Sequence, residues 1–165
     1  MAGEEGVITL EVLAPDAVPS EVLQLYERAF PARERLPVSE MLSWGTGYRL
    51  LNGGDFCGLA FVSTRKDISW LLFFAIAEGC RGRGVGTRAL AALEQRHAGQ
   101  RLIIDVEAEL PQSPNLAERH RRIAFWRRNG FQDAGFGFNW HGEQYAFLVK
   151  GGTLTYDEVR QFWRR

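Results

Sequence analysis

The chain has 165 residues, of which 45% are hydrophobic and 24% are charged. This composition is typical of a globular protein and excludes a disordered or collagen-like chain, and the length predicts a single domain over residues 1–165. Because 20 basic residues balance 20 acidic ones, the formal net charge is zero, which disfavours a protein that binds nucleic acid through bulk charge.

Alternating and helical apolar patterns predict the elements of the first half of the chain. In chain order they are a strand at 7–13, a helix at 21–30, a short helix from its cap Ser39 to Trp44, and strands at 48–51, 56–64 and 68–77. The Asn-Gly-Gly-Asp sequence at 52–55 predicts a hairpin turn, since Asn-Gly tolerates the positive φ of a tight turn. The last strand is apolar almost throughout, which indicates a central position with both faces buried.

The second half continues the alternation of strands and helices. Its predicted elements are a helix at 85–97, a strand at 101–107, a helix at 116–129, strands at 136–140 and 145–150, and a final helix. Gly99 and Gly130 are expected to end the two longer helices, and Thr155 with Glu158 forms a capping box for the last one. This order predicts a mixed sheet with helices on both faces.

Neither cysteine points to a metal site. Cys57 and Cys80 lie outside any Cys-x-x-Cys pair or Cys/His cluster, so no metal is predicted. Residues 1–6 lack the basic start and apolar core of a signal peptide, and the longest apolar run, at 70–77, is too short to span a bilayer. We therefore expect a cytoplasmic protein with no membrane partner.

A glycine-rich loop between the strand at 68–77 and the next helix is the first candidate site. Its residues are Arg81, Gly82, Arg83, Gly84, Val85, Gly86 and Thr87. Glycines let a ligand approach the backbone, and the free N–H groups of a helix start favour an anion, so the loop predicts a pyrophosphate site. No Gly-Lys-Ser/Thr of a Walker A loop follows, and the Gly-x-Gly-x-Gly spacing differs from the dinucleotide-binding motif. The alternative is a turn whose glycines serve geometry alone.

Two motifs together resemble the GNAT family, the Gcn5-related N-acetyltransferases. The first is Arg-x-x-Gly-x-Gly after a long apolar strand, here Arg81, Gly84 and Gly86. The second is an alanine and an aromatic residue at the end of a helix, followed by Gly-Phe, here at 124–131. The resemblance covers nearly the whole chain and implies an α/β (α+β) fold. Its mostly antiparallel sheet of about seven strands has helices on both faces and a splayed parallel central pair.

The resemblance also implies a function, the transfer of an acetyl group from acetyl-CoA to a primary amine. The acceptor would be a small molecule or a protein N-terminus or lysine. Acetyl-CoA would be a co-substrate whose pantetheine arm pairs with the backbone of Phe74, Ala75 and Ile76, with its pyrophosphate on the amides of residues 82–87. Arg122 and Phe125, on the helix of the second motif, are further candidates for contact with CoA; bidentate arginines suit its phosphates.

The sequence leaves open which residues move protons. Trp126 stands where many family members have a tyrosine that protonates the leaving thiolate, and an indole N–H is no usable acid. Either Tyr145 or a water would take its place, or no acid is needed. The base candidates are Asp105 and Glu107, which share one face of a strand where their like charges would raise one pKa. The alternative for this pair is a solvated strand end.

Glu34 is a third base candidate, because the loop at 31–37 corresponds to one that lines the acceptor site in this family; the alternative is a surface ion pair. Arg119 stands where family members often have an asparagine, and it opens a basic run that we interpret as a solvated helix face. An RNA-associated protein is a competing interpretation, disfavoured by the neutral charge. A non-catalytic acyl-CoA-binding module is the main alternative, and a homodimer is left open.

Overall fold

The computed structural model describes residues 6–164, so most of the acidic N-terminal stretch at 1–6 lies outside the described residues. Within that part of the chain the strands are β1 Ile8–Val12, β2 Thr46–Asn52, β3 Asp55–Arg65, β4 Ile68–Ile76, β5 Arg101–Glu107, β6 Gln132–Trp140 and β7 Glu143–Lys150. The helices are α1 Ser20–Ala29, α2 Val38–Trp44, α3 Val85–Arg96, α4 Leu116–Arg128 and α5 Tyr156–Phe162, with a 3-10 turn at Glu78–Cys80. The element order is the one predicted from the sequence.

The strands form a seven-stranded sheet in the order β1-β2-β3-β4-β5-β7-β6. The sheet is mostly antiparallel, and its parallel pair is β4 with β5, which joins residues 68–70 to residues 101–103. A parallel connection needs a crossover, and α3 supplies it between these two strands. The predicted fold class, a mixed sheet with a central parallel pair, is confirmed.

The chain forms two compact units. The first consists of Met1–Thr64 and Leu71–Ala98. Its core is built on α1, where Leu25 and Tyr26 are buried on one face, and the Tyr26 ring meets Phe73 of β4 edge-on with centroids 5.0 Å apart. The Tyr26 hydroxyl donates to the Leu36 carbonyl at 2.8 Å, and burial raises the pKa of this phenol to about 12.

The second unit consists of Arg65–Trp70 and Gly99–Arg165. Its antiparallel strands β5, β7 and β6 carry an aromatic core in which Trp70 packs against Phe147 and Phe162 at 5.4 and 5.5 Å. The predicted capping box of α5 is present: the Thr155 hydroxyl accepts from the Glu158 N–H. The single domain over 1–165 stays a prediction.

Two local expectations are wrong for identifiable reasons. Helix α2 begins at Val38, and Met41 N–H donates to the Pro37 carbonyl at 3.0 Å, so Ser39 lies inside the helix and does not cap it. Strand β6 begins at Gln132, four residues before the predicted start. Its pairing with β7 is irregular between Asp133 and Gly137, and such an irregularity breaks the alternation that marks a strand in the sequence.

Candidate active site

The glycine-rich loop of the first unit has the backbone geometry of an anion cradle. Gly84 is the residue before α3 and adopts φ +70°, and Gly82 adopts φ +82°. Only glycine takes such a left-handed conformation at no steric cost, so Gly84 allows the chain to enter the helix at Val85. A Cβ at either glycine would meet no atom within 4 Å. The backbone therefore requires glycine for its conformation and leaves the surface above it open.

The electrostatics of this helix start also favour an anion. The first turn of α3 contains no acidic residue, and no side chain caps it. The helix dipole and uncapped N–H groups are positive there. Arg81 and Arg83 are exposed beside it, and the Nε of Arg81 donates to the carbonyl of Ile76, at the end of β4, at 3.1 Å. Three elements of the prediction, the strand end, the loop and the helix start, thus lie together in this unit.

The end of β4 presents its residues alternately to the core. Ala75 is buried in the core of the first unit, whereas Phe74 and Ile76 are half-buried. A Cβ at Gly58 of β3 would come within 2.4 Å of the Ala75 carbonyl oxygen, so this glycine allows the two backbones to approach closely. The role of the three β4 residues toward a pantetheine arm stays a prediction.

A cavity of about 160 Å³ lies next to the loop, and Phe56, Cys57, Cys80, Arg83 and Val85 are among its lining residues. Burial raises the pKa of the Cys57 thiol to about 11, so this thiol is protonated near neutral pH. The Cys80 thiol points to the Phe56 carbonyl at 3.8 Å. Over residues 6–164 no group of three or more His, Cys, Asp or Glu residues is placed to hold a metal ion.

The second unit contains a charged cluster at the end of β5. The Glu107 side chain, only 12% exposed, lies between Arg119 and Arg122 of α4, at 2.7 and 3.2 Å. Arg119 also contacts Glu143, the first residue of β7, at 2.7 Å. In the β5–β7 register Glu107 lies opposite Tyr145. Two of the predicted catalytic residues are thus adjacent.

Asp105 has a different partner from Glu107. The Trp70 indole N–H donates to the Asp105 carboxylate at 2.9 Å, and Asp105 lies opposite Phe147 in the β5–β7 register. Each of the two acids is therefore held by groups of its own. The catalytic roles of Asp105 and Glu107 stay predictions.

Tyr145 is 7% exposed, and its ring stacks on Phe138 with centroids 5.2 Å apart. Trp126 is equally buried and packs edge-on against Phe131 at 5.1 Å. The tryptophan at the position of the family's tyrosine thus belongs to the packing of this unit. Phe125, half-buried, contacts the Trp126 ring.

The two remaining candidates are Glu34 and Arg122. Glu34 is half-buried in the loop between α1 and α2, in the first unit. Arg122 is exposed, and its guanidinium contacts Glu107 at 3.2 Å and Glu118 at 3.8 Å. Neither position by itself tests the predicted role.

Sequence reasoning missed the burial of Arg119. We expected a solvated face for the basic run, but only 4% of Arg119 is exposed. The signal was present in the spacing: Arg119, Ile123 and Trp126 are the buried residues of α4, at the i, i+4 and i+7 positions of one helical face. Position on the helix, rather than charge, decides which of these arginines is buried.

Comparison with known proteins decides the family. Residues 45–133, more than half of the chain, match the model of the acetyltransferase (GNAT) domain. The chain belongs to the GNAT acetyltransferase family. The match begins before β2 and ends in β6, so this GNAT chain has its glycine-rich loop and α4 within the family region. Comparison with curated protein sequences gives no match.

Solved structures share the GNAT fold at low identity. An acetyltransferase assigned to the family from Bacteroides thetaiotaomicron is 17% identical, with a TM-score of 0.69 over 86% of this chain and 84% of its own. The ribosomal-protein-S18-alanine N-acetyltransferase of Escherichia coli is 17% identical, with a TM-score of 0.62 over 90% and 96%. A GNAT acetyltransferase of Elizabethkingia anophelis, solved with acetyl-CoA bound, is 13% identical, with a TM-score of 0.59 over 87% and 97%.

Among the described residues, no helix has both the length and the apolar character needed to cross a bilayer.

Proposed function

We propose that this GNAT protein is an N-acetyltransferase that moves the acetyl group of acetyl-CoA to a primary amine. The observation that carries the proposal is the cradle of the first unit, where Gly84 adopts a left-handed conformation directly before an uncapped helix without acidic residues in its first turn. Membership of an acetyltransferase family supports the pyrophosphate of CoA as the anion that would bind there.

The proposed cofactor contacts follow the chain from β4 into α3. The backbone of Phe74, Ala75 and Ile76 would bind the pantetheine arm. The loop from Arg81 to Thr87 would bind the pyrophosphate through its amides, with Arg83 exposed beside it. Arg122 would reach a CoA phosphate, and Phe125 would contact the cofactor from α4. The bound acetyl-CoA of the Elizabethkingia neighbour supports the choice of ligand.

The proposed reaction is a direct acyl transfer. The amine nitrogen attacks the thioester carbonyl, a C–N bond forms, the C–S bond breaks, and the thiolate of CoA leaves. The attacking nitrogen must lose a proton, and we assign its acceptance to the Glu107 carboxylate. The thiolate gains a proton, which Tyr145 or a water would supply. Asp105 and Glu34 are the alternative bases.

The main competitor is a non-catalytic acyl-CoA-binding module. The burial of Trp126 where many family members have the tyrosine acid favours it, because a chain without that acid can still bind CoA. A CoA thiolate, however, is a tolerable leaving group near neutral pH, since a free cysteine thiol has a pKa of only about 8.5. The loss of the acid therefore bears on the rate more than on the reaction type.

One assay separates the two functions. Free CoA thiol is measured while acetyl-CoA is mixed with polyamines, amino acids, aminoglycosides and peptides with different N-termini. A peptide that begins with alanine is included because the name of the Escherichia coli neighbour contains an alanine of ribosomal protein S18. Amine-dependent thiol release, with the acetylated amine seen by mass spectrometry, supports the transferase. Tight acetyl-CoA binding without turnover of any amine would favour the binding module, and no binding would overturn both.

Three expectations remain predictions: the protein is cytoplasmic, its reaction needs no metal, and it does not bind nucleic acid. Homodimer formation remains open.

A further inference from the structure

Arg119 is a buried cation whose guanidinium contacts four acceptors. Its Nε donates to the Asn115 side-chain oxygen at 2.8 Å and its Nη1 to the Ala108 carbonyl at 2.9 Å. Its Nη2 lies 2.7 Å from one carboxylate oxygen of Glu107 and 2.7 Å from one of Glu143. The side chain therefore connects α4 with the end of β5, the segment after it and the start of β7.

This arrangement demands an arginine. A planar guanidinium offers five N–H donors in a fixed fork, whereas the ammonium of a lysine is a compact charge that would reach fewer of these acceptors. A buried charge pair is costly to break, since removal of one partner leaves the other uncompensated. Glu107 and Glu143 would face each other without the cation that lies between them.

We propose that Arg119 is a positioning residue for proton transfer: its ion pair holds the Glu107 carboxylate in one orientation, at the position opposite Tyr145. The inference rests on the proposed function, because it gives Glu107 the role of proton acceptor. Arg119 acts through Glu107 and needs no contact with the substrate.

The groups around Glu107 determine the expected effect on the pH profile. Arg119 and Arg122 face it from α4, at 2.7 and 3.2 Å, and Tyr145 lies opposite it on β7. Glu143 of β7 shares the Arg119 guanidinium with it. Loss of Arg119 removes the nearer of two cations and leaves a neighbouring anion, and both changes favour the protonated carboxyl. A base of this kind should then become active only at higher pH.

The test compares Arg119→Gln with Arg119→Lys in the full chain. We expect Arg119→Gln to lower kcat by roughly tenfold or more. The acid limb of its kcat/KM profile should move upward by about one pH unit. Its Kd for acetyl-CoA should stay within about twofold of wild type, because Arg119 is not a proposed cofactor contact. Arg119→Lys restores the charge but not the fork. It should return the acid limb toward its wild-type pH while recovering only part of kcat.

Arg121→Gln is the matched control, since it removes the same charge from an exposed position on the same helix and should leave the profile unchanged. All variants are compared with one amine, so the titration of the acceptor itself is constant.

Glu143→Gln tests whether the acid limb moves in the opposite direction. It removes an anion near Glu107, so the acid limb should move to lower pH. This variant also tests the inference if Arg119→Gln does not fold.

The outcomes separate this inference from the proposed function. Suppose that wild type acetylates amines and that Glu107→Gln loses kcat. If the acid limb of Arg119→Gln then stays in place, Arg119 has a structural role only and the inference is overturned. If Arg119→Gln does not fold, an unchanged acid limb in Glu143→Gln overturns the inference in the same way. If Glu107→Gln keeps full activity, the assignment of the base fails and the role of Arg119 fails with it. If wild type turns over no amine, the proposed function itself is overturned.

Discussion

At the scale of single residues, the left-handed glycine before α3 is the most specific feature of the proposed cofactor site. Gly84→Val is expected to raise the Kd for acetyl-CoA by roughly tenfold or more, because a branched side chain strains this backbone and obstructs the approach of a phosphate; one lost anion contact is worth about 1.4 kcal/mol. Calorimetric titration of the folded variant measures the change.

Gly99→Val is the matched control for this substitution. Gly99 has φ +83° and, like Gly84, open space where a Cβ would be, so the backbone strain is similar, but it lies after the other end of α3. Equal losses of affinity in the two variants would show a general effect of strain, and an unchanged Kd in Gly84→Val would remove the cradle assignment.

Glu107 is the residue on which the proposed chemistry depends. Glu107→Gln is expected to lower kcat at least ~10-fold with acetyl-CoA binding retained, because the amide preserves the shape but cannot accept a proton. Steady-state rates from about pH 6 to 9 with the best amine measure this.

Asp105→Asn is measured beside Glu107→Gln, since Asp105 lies two residues away and is bound by the Trp70 indole. A smaller effect of Asp105→Asn is expected. Full kcat of Glu107→Gln over the whole range would refute its role as base, and Glu34 or a water chain would then be the leading candidate.

At the scale of elements, the final helix depends on its first turn. Thr155 and Glu158 exchange hydrogen bonds in a capping box, with the Thr155 hydroxyl accepting from Glu158 N–H at 3.2 Å. Thr155→Ala should lower the free energy of unfolding by about 1 kcal/mol, the usual value of an N-cap. Urea denaturation measures it, with Thr153→Ala as a control at an exposed threonine two residues earlier. Similar losses in both variants would contradict a specific capping effect.

At the scale of the whole molecule, the ion pair of Arg101 with Glu158 should contribute to the stability of the folded chain against acid. Arg101 binds both Asp67 and Glu158, and its hydrogen bond holds the pKa of the Glu158 carboxyl down at about 2. A carboxyl whose pKa is lowered by folding adds stability above its unfolded pKa of about 4.3, and this stability is lost as the pH falls toward the folded value.

Glu158→Gln should therefore destabilise the protein near neutral pH and reduce the dependence of Tm on pH between about 4.5 and 2. Asp157→Asn, an exposed acidic residue of the same helical turn, is the control for the helix dipole. Thermal unfolding over this pH range gives the comparison, and a wild-type slope retained in Glu158→Gln would contradict the assignment.

The sequence by itself determined the local structure of this protein, because local structure follows from neighbours in the chain. Apolar periodicity predicted the twelve principal elements in their order, the bounds of β5 were predicted to the residue, and the capping box at Thr155 was readable from two side chains three residues apart. The glycine-rich turn before α3 was also readable from the sequence, whereas the left-handed conformation of Gly84 is a finding of the structure. The two family motifs then indicated the fold.

Only the tertiary structure decided which charges are buried and what they contact. The rotation of α4 places Arg119 inward with Ile123 and Trp126, although its composition suggested a solvated face. Arg119 lies 12 residues from Glu107 and 24 from Glu143 along the chain, and no local pattern encodes such ion pairs. A charged side chain is buried when distant partners compensate its desolvation. Those partners come together only when β5, β7 and α4 pack.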